Sequence, residues 1–414
     1  MTRAYRIYLA AAAVVALHVA DDSFLQPNPG TSAGDHVVAG LVPIALLGVG
    51  AWLFPRVRAG AQGAIALLAG YLGVLVGTEA VYYTTAVGPS GDDFTGLLAA
   101  GAGLVLVGLG AWTLFTHRRR DGRVWWRYGR PVLVLAGVYV AVSAFFFAFS
   151  LSYVITHTAR AHVPKADLGA PYEDVAFETS DGLTLRGWYI RSRNGAAVIS
   201  FPGRASSQKR AKMLARHGYG VLVFDRRGEG ESDGDPNLFG WQGERDIHGA
   251  VKYLQSRPDV DPERIGGIGL SVGGEMMIEA AAESSALKAI VSEGASGRSI
   301  RDDLAGNYTS HGVAWQNLVG DTVATFGTAL FTDNVPPADL RSLARKIHGA
   351  AFFVYGGQGQ PAERPGNRVF YSEAPGPKEI WEVPGSGHIG GIDAQPRAYE
   401  RRVVGFFDRY LRDR

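Results

Sequence analysis

One serine of this chain lies where a reactive hydroxyl is expected. Ser271 is the centre of the motif Gly269-Leu270-Ser271-Val272-Gly273, between an apolar run and an alanine-rich segment that begins at Glu275. Small residues on both sides of a serine allow a sharp strand-to-helix turn, which lifts the hydroxyl clear of the sheet. The pattern predicts that Ser271 is a nucleophile that attacks carbonyl carbon.

A histidine near the C-terminus has the placement of a general base. His388 follows the apolar run Glu379 to Val383 and lies in a glycine-flanked loop, Pro384-Gly385-Ser386-Gly387-His388. An imidazole in such a loop can take the proton of the serine hydroxyl and return it to the leaving group. We therefore predict that His388 acts on Ser271.

The elements that must position these two side chains alternate between strand and helix from Asp174 onward. Apolar runs predict strands, and amphipathic segments predict helices. The predicted strands are 175–178, 183–190, 196–201, 220–224, 265–270, 287–291, 350–355 and 379–383, and the predicted helices include 207–217, 244–255 and 398–411. This alternation indicates a mostly parallel sheet with helices on both faces.

The order of these motifs resembles the α/β-hydrolase superfamily, in particular its serine aminopeptidase-like and prolyl-oligopeptidase-like esterase and peptidase branches. The resemblance covers residues 172–414 and depends on the segments around Ser271 and His388. It also depends on Asp225-Arg226-Arg227-Gly228-Glu229-Gly230-Glu231-Ser232, which is similar to the superfamily's D-x-R-G-x-G-x-S loop. It implies an α/β-hydrolase domain at 174–414 whose triad follows the order serine, acid, histidine.

Two glutamates are candidates for the acid of the triad that the resemblance implies. The superfamily usually has an aspartate after the strand that here is 350–355, and Glu363 is the only carboxylate in the loop 356–363. Some hydrolases carry the acid after an earlier strand, where this chain has Glu293. Either carboxylate could orient the imidazole of His388. We expect Glu363 and keep Glu293 as the alternative.

Two backbone amides are expected to bind the developing oxyanion. The amide of Val272 is one, because it begins the helix after the serine. By resemblance the other belongs to the loop after strand 196–201, where Pro202 has no N–H and the amide of Arg204 is the candidate. The resemblance also implies a helical lid at about 295–347, on which Trp315, Phe326, Leu330 and Phe331 either line a pocket or pack the lid onto the sheet.

The first 155 residues have a different composition. Five apolar stretches predict membrane helices, at 7–20, 36–54, 63–83, 94–115 and 131–154. A span needs about 20 apolar residues, and only the first stretch falls short. Arg3 and Arg6 precede that stretch, so it is either a first span or a cleaved signal peptide. We predict a helical membrane domain at 1–155 and a linker at 156–173.

The charges of the loops predict the orientation of these spans. Basic residues lie between the second and third stretches and between the fourth and fifth, whereas the other loops carry aspartate without lysine or arginine. The basic loops contain Arg56, Arg58, Arg118, Arg119, Arg120, Arg123, Arg127 and Arg130. Because cytoplasmic loops are rich in basic residues, we expect a multi-pass protein of a bacterial-type plasma membrane, with a cytoplasmic N-terminus and an extracytoplasmic hydrolase domain.

The composition excludes several kinds of chemistry and argues against several kinds of partner. The chain has no cysteine, which excludes disulfides, thiol catalysis and cysteine metal sites. A net charge of +2 and the absence of phosphate-loop and metal-type histidine motifs argue against nucleic acid, nucleotide and metal. We expect a serine hydrolase that cleaves an ester or amide in a small molecule, lipid or peptide without a cofactor, in an oligomeric state that the sequence does not set. The alternatives are a catalytically silent binding module and a lipid- or solute-handling membrane domain with an accessory hydrolase.

Overall fold

The computed structural model describes residues 1–86, 91–117, 124–142, 147–158, 160, 162–305, 311–332 and 334–412. The chain forms two compact units. The first consists of Met1–Ala159 and Phe326–Asp333, and the second of Arg160–Thr325 and Asn334–Arg414. Of the basic residues that predict the orientation, Arg118, Arg119, Arg120 and Arg123 lie outside the described residues.

The first unit is helical. Its helices are α1 (Arg3–Ala20), α2 (Val37–Leu53), α3 (Ala59–Val76), α4 (Thr78–Ala86), α5 (Asp93–Thr116), α6 (Val124–Ala141) and α7 (Phe147–Thr156). Within the described ranges, four segments are long and apolar enough to cross a membrane: Arg3–Leu25, Val37–Arg56, Ala59–Thr85 and Asp93–Thr116. The fifth predicted stretch is divided between α6 and α7, and its residues 143–146 lie outside the description.

Helices α3 and α5 pack backbone against backbone. A Cβ on Gly103 would lie 2.6 Å from the nitrogen of Val74, and a Cβ on Gly70 would lie 2.8 Å from the carbonyl oxygen of Gly103. Any larger residue at either position would push the helices apart, as at the small-residue contacts that join membrane helices. These glycines therefore set the spacing of the two helices.

The second unit is built on one eight-stranded sheet. The strands are β1 (Glu173–Glu178), β2 (Thr184–Ile190), β3 (Ala197–Phe201), β4 (Gly220–Phe224), β5 (Ile265–Leu270), β6 (Ala289–Glu293), β7 (Ala350–Gly356) and β8 (Lys378–Val383). Their spatial order is β1-β2-β4-β3-β5-β6-β7-β8. Strands β1 and β2 pair antiparallel, and the pairs from β4 to β8 are parallel. The predicted mostly parallel sheet is confirmed.

Apolar residues bury both faces of this sheet. Successive side chains of a strand point to opposite faces, and in β3 Ile199 belongs to one core cluster whereas Val198 belongs to the other. The covering helices and turns are α8 (Gln208–Arg216), α9 (Gly243–Gln255), α10 (Val272–Glu283), α11 (Ile300–Leu304), α12 (His311–Thr332), α13 (Leu340–Ala344), α14 (Glu363–Glu373), α15 (Gly391–Ala394) and α16 (Pro396–Phe407). Polar side chains are thus directed to the loops at the strand ends.

The segment predicted as a lid contains α11, α12 and α13. The last residues of α12 belong to the first unit, where the ring of Phe331 lies 5.8 Å from that of Tyr153 and 6.0 Å from that of His157. Phe331 is buried by these contacts, whereas Phe326 is 67% exposed. Phe331 therefore packs against α7 and not onto the sheet, which differs from both expected roles; the side chain of Trp315 lies outside the description.

Candidate active site

The nucleophile motif forms a strained turn at the centre of the sheet. Ser271 lies between β5 and α10 with φ +52°, a conformation that non-glycine residues rarely adopt. A Cβ on Gly269 would lie 2.1 Å from the carbonyl oxygen of Gly273, and a Cβ on Gly273 would lie 3.0 Å from Pro202 Cδ. Position 269 must therefore be glycine, a larger residue at 273 would press on Pro202, and the loop after β3 packs against the turn.

The two residues predicted to react lie within hydrogen-bond distance of each other. His388 Nε2 is 2.8 Å from Ser271 Oγ, and His388 Nδ1 is 2.6 Å from Glu363 Oε1. When Nδ1–H donates to the carboxylate, Nε2 is left to accept the serine proton. The structure thus brings Ser271, His388 and Glu363 together in one hydrogen-bonded chain.

Glu363 is held from several sides. Its side chain is fully buried, and the carboxylate accepts hydrogen bonds from the amides of Gln360 at 2.7 Å and Gly356 at 3.4 Å. The sequence places it in a loop, but in the structure it is the first residue of α14. A helix N-terminus favours a carboxylate, because the unpaired amides there carry partial positive charge. Glu363 is thereby fixed beside His388.

Glu293, the alternative acid, has other partners. It ends β6, and its carboxylate accepts hydrogen bonds from Arg210, Tyr399 and the amide of Gly391. The side chain is 1% exposed. The structure therefore places Glu363, and not Glu293, on the imidazole of His388.

The amides expected to bind the oxyanion differ in availability. Val272 begins α10, so its N–H is one of the unpaired donors at a helix N-terminus. The amide of Arg204 instead donates to Asp225 Oδ1 at 2.8 Å. The expectation for Arg204 is therefore corrected, since its single N–H is already used by a buried carboxylate. In the part of the chain that the structure describes, the amide of the preceding residue, Gly203, has no hydrogen-bond acceptor.

The D-x-R-G-x-G-x-S loop supports this arrangement without touching the triad. The Arg204 guanidinium donates to Asp225 Oδ2 at 2.6 Å, and the Ser232 hydroxyl donates to the Asp225 carbonyl at 2.6 Å. Arg227 donates from both its amide and its Nε to Asp246, at 2.9 and 2.8 Å. The bonds of Asp225 join the loops after β3 and β4, and the bonds of Arg227 hold the second of these loops against α9.

A buried carboxyl lies one turn into α10, the helix that follows Ser271. Glu275 is 3% exposed and accepts a hydrogen bond from the amide of Ser296 at 2.7 Å. Burial raises its pKa to about 7, although Arg298 opposes the shift. The sequence analysis did not single out Glu275 or Arg210. Arg210 could have been noticed, because it shares the buried face of α8 with Met213 and Leu214, where a charge needs a partner.

Several known proteins are similar to parts of this chain. A family described as X-Pro dipeptidyl-peptidase (S15 family) matches residues 159–356, which include Ser271 and end before Glu363 and His388. The polyketide transferase grgF of a Penicillium species is 39% identical over 120 residues, which are 27% of this chain and 41% of that protein. The thiohydrolase aneE of Aspergillus aculeatus is 35% identical over 129 residues, 29% of this chain and 41% of that one. The chain thus spans about two fifths of these relatives.

A solved structure extends the likeness to the fold. The esterase Pf2001 of Pyrococcus furiosus superposes with a TM-score of 0.50 at 23% sequence identity. The match covers 62% of this chain and 98% of the esterase. The strand order, the serine turn after β5 and this likeness lead to one conclusion. The second unit has the α/β-hydrolase fold.

Proposed function

We propose that this protein is a membrane-anchored serine hydrolase that cleaves an ester or amide bond through an acyl-enzyme. The observation that carries the proposal is the hydrogen-bonded chain from Ser271 through His388 to Glu363, with separations of 2.8 and 2.6 Å. The matches to a peptidase family, a thiohydrolase and an esterase fold support the reaction class. Small molecules, lipids and peptides remain the proposed substrate classes, and no cofactor is required.

Acylation follows from the geometry. Ser271 Oγ attacks the substrate carbonyl carbon while His388 Nε2 takes the hydroxyl proton, and Glu363 stabilises the resulting imidazolium through Nδ1–H. The carbonyl oxygen becomes an oxyanion, which the amide of Val272 stabilises. We propose the amide of Gly203 as the second donor, because its loop packs against the serine turn and the Arg204 amide is occupied.

Deacylation uses the same groups in reverse. Acylation ends when the imidazolium gives its proton to the leaving alcohol or amine. In deacylation, His388 takes a proton from a water that attacks the acyl ester, and returns it to Ser271 Oγ as the tetrahedral intermediate collapses. Carboxylic acid leaves and the hydroxyl is restored. An alcohol or amine in place of water would yield acyl transfer, a second candidate activity favoured by the likeness to a polyketide transferase. Adding an acceptor alcohol and measuring the ratio of ester to acid products distinguishes the two.

The same geometry argues against a silent binding module. Backbone strain of the kind found at Ser271 costs of order 1–3 kcal/mol and is typical of functional sites. A protein that only binds a partner has no need for a hydroxyl held in this way beside an imidazole and a buried carboxylate. The intact arrangement therefore supports catalysis.

Labelling with a fluorophosphonate tests the proposal. This probe reacts covalently with activated serines, so Ser271→Ala should abolish labelling of the full chain. Ser256→Ala is the matched control, since Ser256 is an exposed serine of the same unit and should leave labelling unchanged. Labelling of Ser271→Ala at the wild-type level would refute the assignment of the nucleophile.

We further propose that the first unit is an integral membrane domain with a cytoplasmic N-terminus and an extracytoplasmic hydrolase unit. The four long apolar helices and the basic residues Arg56 and Arg58 between the second and the third support it. An odd number of crossings is required, so the stretch 131–154 must form the fifth. If it did not cross, the hydrolase unit would lie in the cytoplasm.

The absence of cysteine allows a clean test of this orientation. A membrane-impermeant maleimide applied to intact spheroplasts should label Ser256→Cys, whereas Arg58→Cys should be labelled only after permeabilisation. If Arg58→Cys alone were labelled in intact spheroplasts, the orientation would be the reverse of the one proposed. Labelling of neither variant until permeabilisation would show that residues 131–154 do not cross.

A further inference from the structure

The alternative acid of the sequence analysis is the centre of a buried cluster. Glu293 Oε2 accepts hydrogen bonds from Arg210 Nη2 at 2.8 Å, Arg210 Nε at 3.3 Å and the Tyr399 hydroxyl at 2.5 Å. The other oxygen, Oε1, accepts from the amide of Gly391 at 3.1 Å. The side chains of Arg210 and Glu293 are 5% and 1% exposed. A buried charge pair of this kind is retained only with such complete hydrogen bonding.

This cluster holds both sides of the turn that follows His388. Arg210 Nη2 donates to the carbonyl oxygen of Ile389 at 2.7 Å, and Glu293 binds the amide of Gly391. Ile389 has φ +48°, a left-handed conformation that is an outlier for a β-branched residue. Such a conformation persists when the surrounding structure determines it from several directions. The two bonds on either side of Gly390 provide that constraint.

The same residue also reaches the nucleophile through its backbone. The carbonyl oxygen of Glu293 accepts a hydrogen bond from the amide of Ser271 at 2.8 Å. The next residue, Gly294, has φ +77°, and a Cβ there would lie 2.9 Å from Ile389 Cγ2 and 3.2 Å from His388 Cε1. Residues 293 and 294 therefore contact both Ser271 and the turn that carries His388.

We propose that Glu293 and Arg210 are positioning residues that set the distance between His388 and Ser271. Neither touches the substrate or the reacting atoms; they act through the carbonyl of Ile389 and the amide of Gly391. This inference rests on the proposed function, since it concerns the rate at which Ser271 reacts. Without the cluster, the turn after His388 relaxes and Nε2 leaves hydrogen-bond range of the hydroxyl.

The test measures the reactivity of each folded site separately from the number of folded sites. In the full chain, Glu293→Gln removes the charge that holds Arg210 while keeping the volume of the side chain. We expect the rate constant of fluorophosphonate labelling, and kcat for an acyl ester, to fall about 100-fold, with the final labelled fraction and KM close to wild type. A displacement of about 1 Å can have an effect of this size on rate.

Two further variants separate positioning from general destabilisation. Arg210→Met/Glu293→Gln removes both charges, so no unpaired ion stays buried and folding is expected to recover; its rate constant should nevertheless remain low. Glu279→Gln breaks another buried pair of the same unit, in which Arg298 Nη2 lies 2.5 Å from Glu279 Oε2, and should leave the rate constant unchanged.

Three results would overturn the proposal. One is a wild-type rate constant in Glu293→Gln with fewer labelled sites, because that is the signature of a purely structural role. Another is full recovery of the rate constant in the double variant. The third is an equal loss in Glu279→Gln. Persistent labelling of Ser271→Ala would instead remove the proposed function itself, so the two failures are distinguishable.

Discussion

Replacement of Glu363 by glutamine is the most demanding test of the triad. The carboxylate is fully buried and lies 2.6 Å from His388 Nδ1, so no water is positioned to replace it. Glu363 Oε1 accepts from both the amide of Gln360 and His388 Nδ1–H, so a glutamine whose carbonyl oxygen takes the place of Oε1 keeps both bonds and places its NH₂ group at the position of Oε2. The tautomer of His388 is then unchanged, but the negative charge that stabilises the imidazolium formed during the attack is lost.

The same replacement in serine proteases sets the scale of the expected effect. In serine proteases the equivalent acid-to-amide replacement lowers kcat about 10⁴-fold. Each factor of ten corresponds to about 1.4 kcal/mol, so Glu363→Gln should raise the barrier by about 5 kcal/mol. Glu363→Asp keeps the charge but moves it farther from the imidazole, so its kcat should lie between that of the glutamine variant and that of the wild type. The loss should appear in kcat rather than KM, because the carboxylate does not touch the substrate.

The assay is steady-state hydrolysis of a chromogenic acyl ester by the full chain in detergent. Thermal unfolding of each variant confirms that the fold is retained, and Glu283→Gln, at an exposed carboxylate at the end of α10, is the matched control. A value of kcat for Glu363→Gln within tenfold of wild type would refute the reasoning. His388 would then not depend on the negative charge of this carboxylate.

Three further perturbations test other parts of the structure. Gly294→Ala would place a Cβ 2.9 Å from Ile389 in a backbone with φ +77°. It should lower the free energy of unfolding by on the order of 1–3 kcal/mol and also lower the activity. Unfolding and turnover at the wild-type level would contradict this. Burial raises the pKa of Glu275 from 4.5 to about 7, so the native state binds its proton more tightly than the unfolded state. The free energy of unfolding of the wild type should therefore fall as the pH rises from about 4.5 to about 7, by on the order of 3 kcal/mol. Glu275→Gln should remove this loss, which urea unfolding at pH 5 and pH 8 measures. The same change of unfolding free energy with pH in both proteins would count against the prediction. A fragment that begins at Arg160 lacks Tyr153 and so exposes the ring of Phe331. Phe331→Ser should therefore raise the soluble yield of this fragment. Equal yields would show that exposure of the ring does not reduce solubility.

The sheet could be predicted closely from the sequence because its central strands are buried on both faces. The apolar runs 220–224 and 265–270 coincide with β4 and β5. A strand covered on both sides shows an unbroken apolar run bounded by polar or glycine residues, which is a clear signal. The serine turn was predictable for a related reason, since Gly269 is required by its contact with the nearby backbone of Gly273.

The helix that begins at Glu363 was not predictable in the same way. Pro365 and Gly366 are poor helix formers, and their presence favours a loop. In the structure Pro365 is the third residue of α14, where the missing N–H would have had no partner within the helix. The usual cost of proline therefore does not apply there.

Contacts distant in sequence account for the remaining differences. The amide of Arg204 is used by Asp225, and the carboxylate of Glu293 is used by Arg210. Both bonds join loops or elements that meet only after the sheet has formed. A pattern in a single sequence cannot distinguish a free amide from one bound by a side chain 21 positions away.

The first unit is assembled from two separate parts of the chain, since residues 326–333 complete it after the sheet has begun. A chimera made by a single junction near residue 159 would pair one protein's α7 with another protein's end of α12. Exchange of the membrane portion between related proteins therefore requires two junctions, with Tyr153 and Phe331 transferred as a pair.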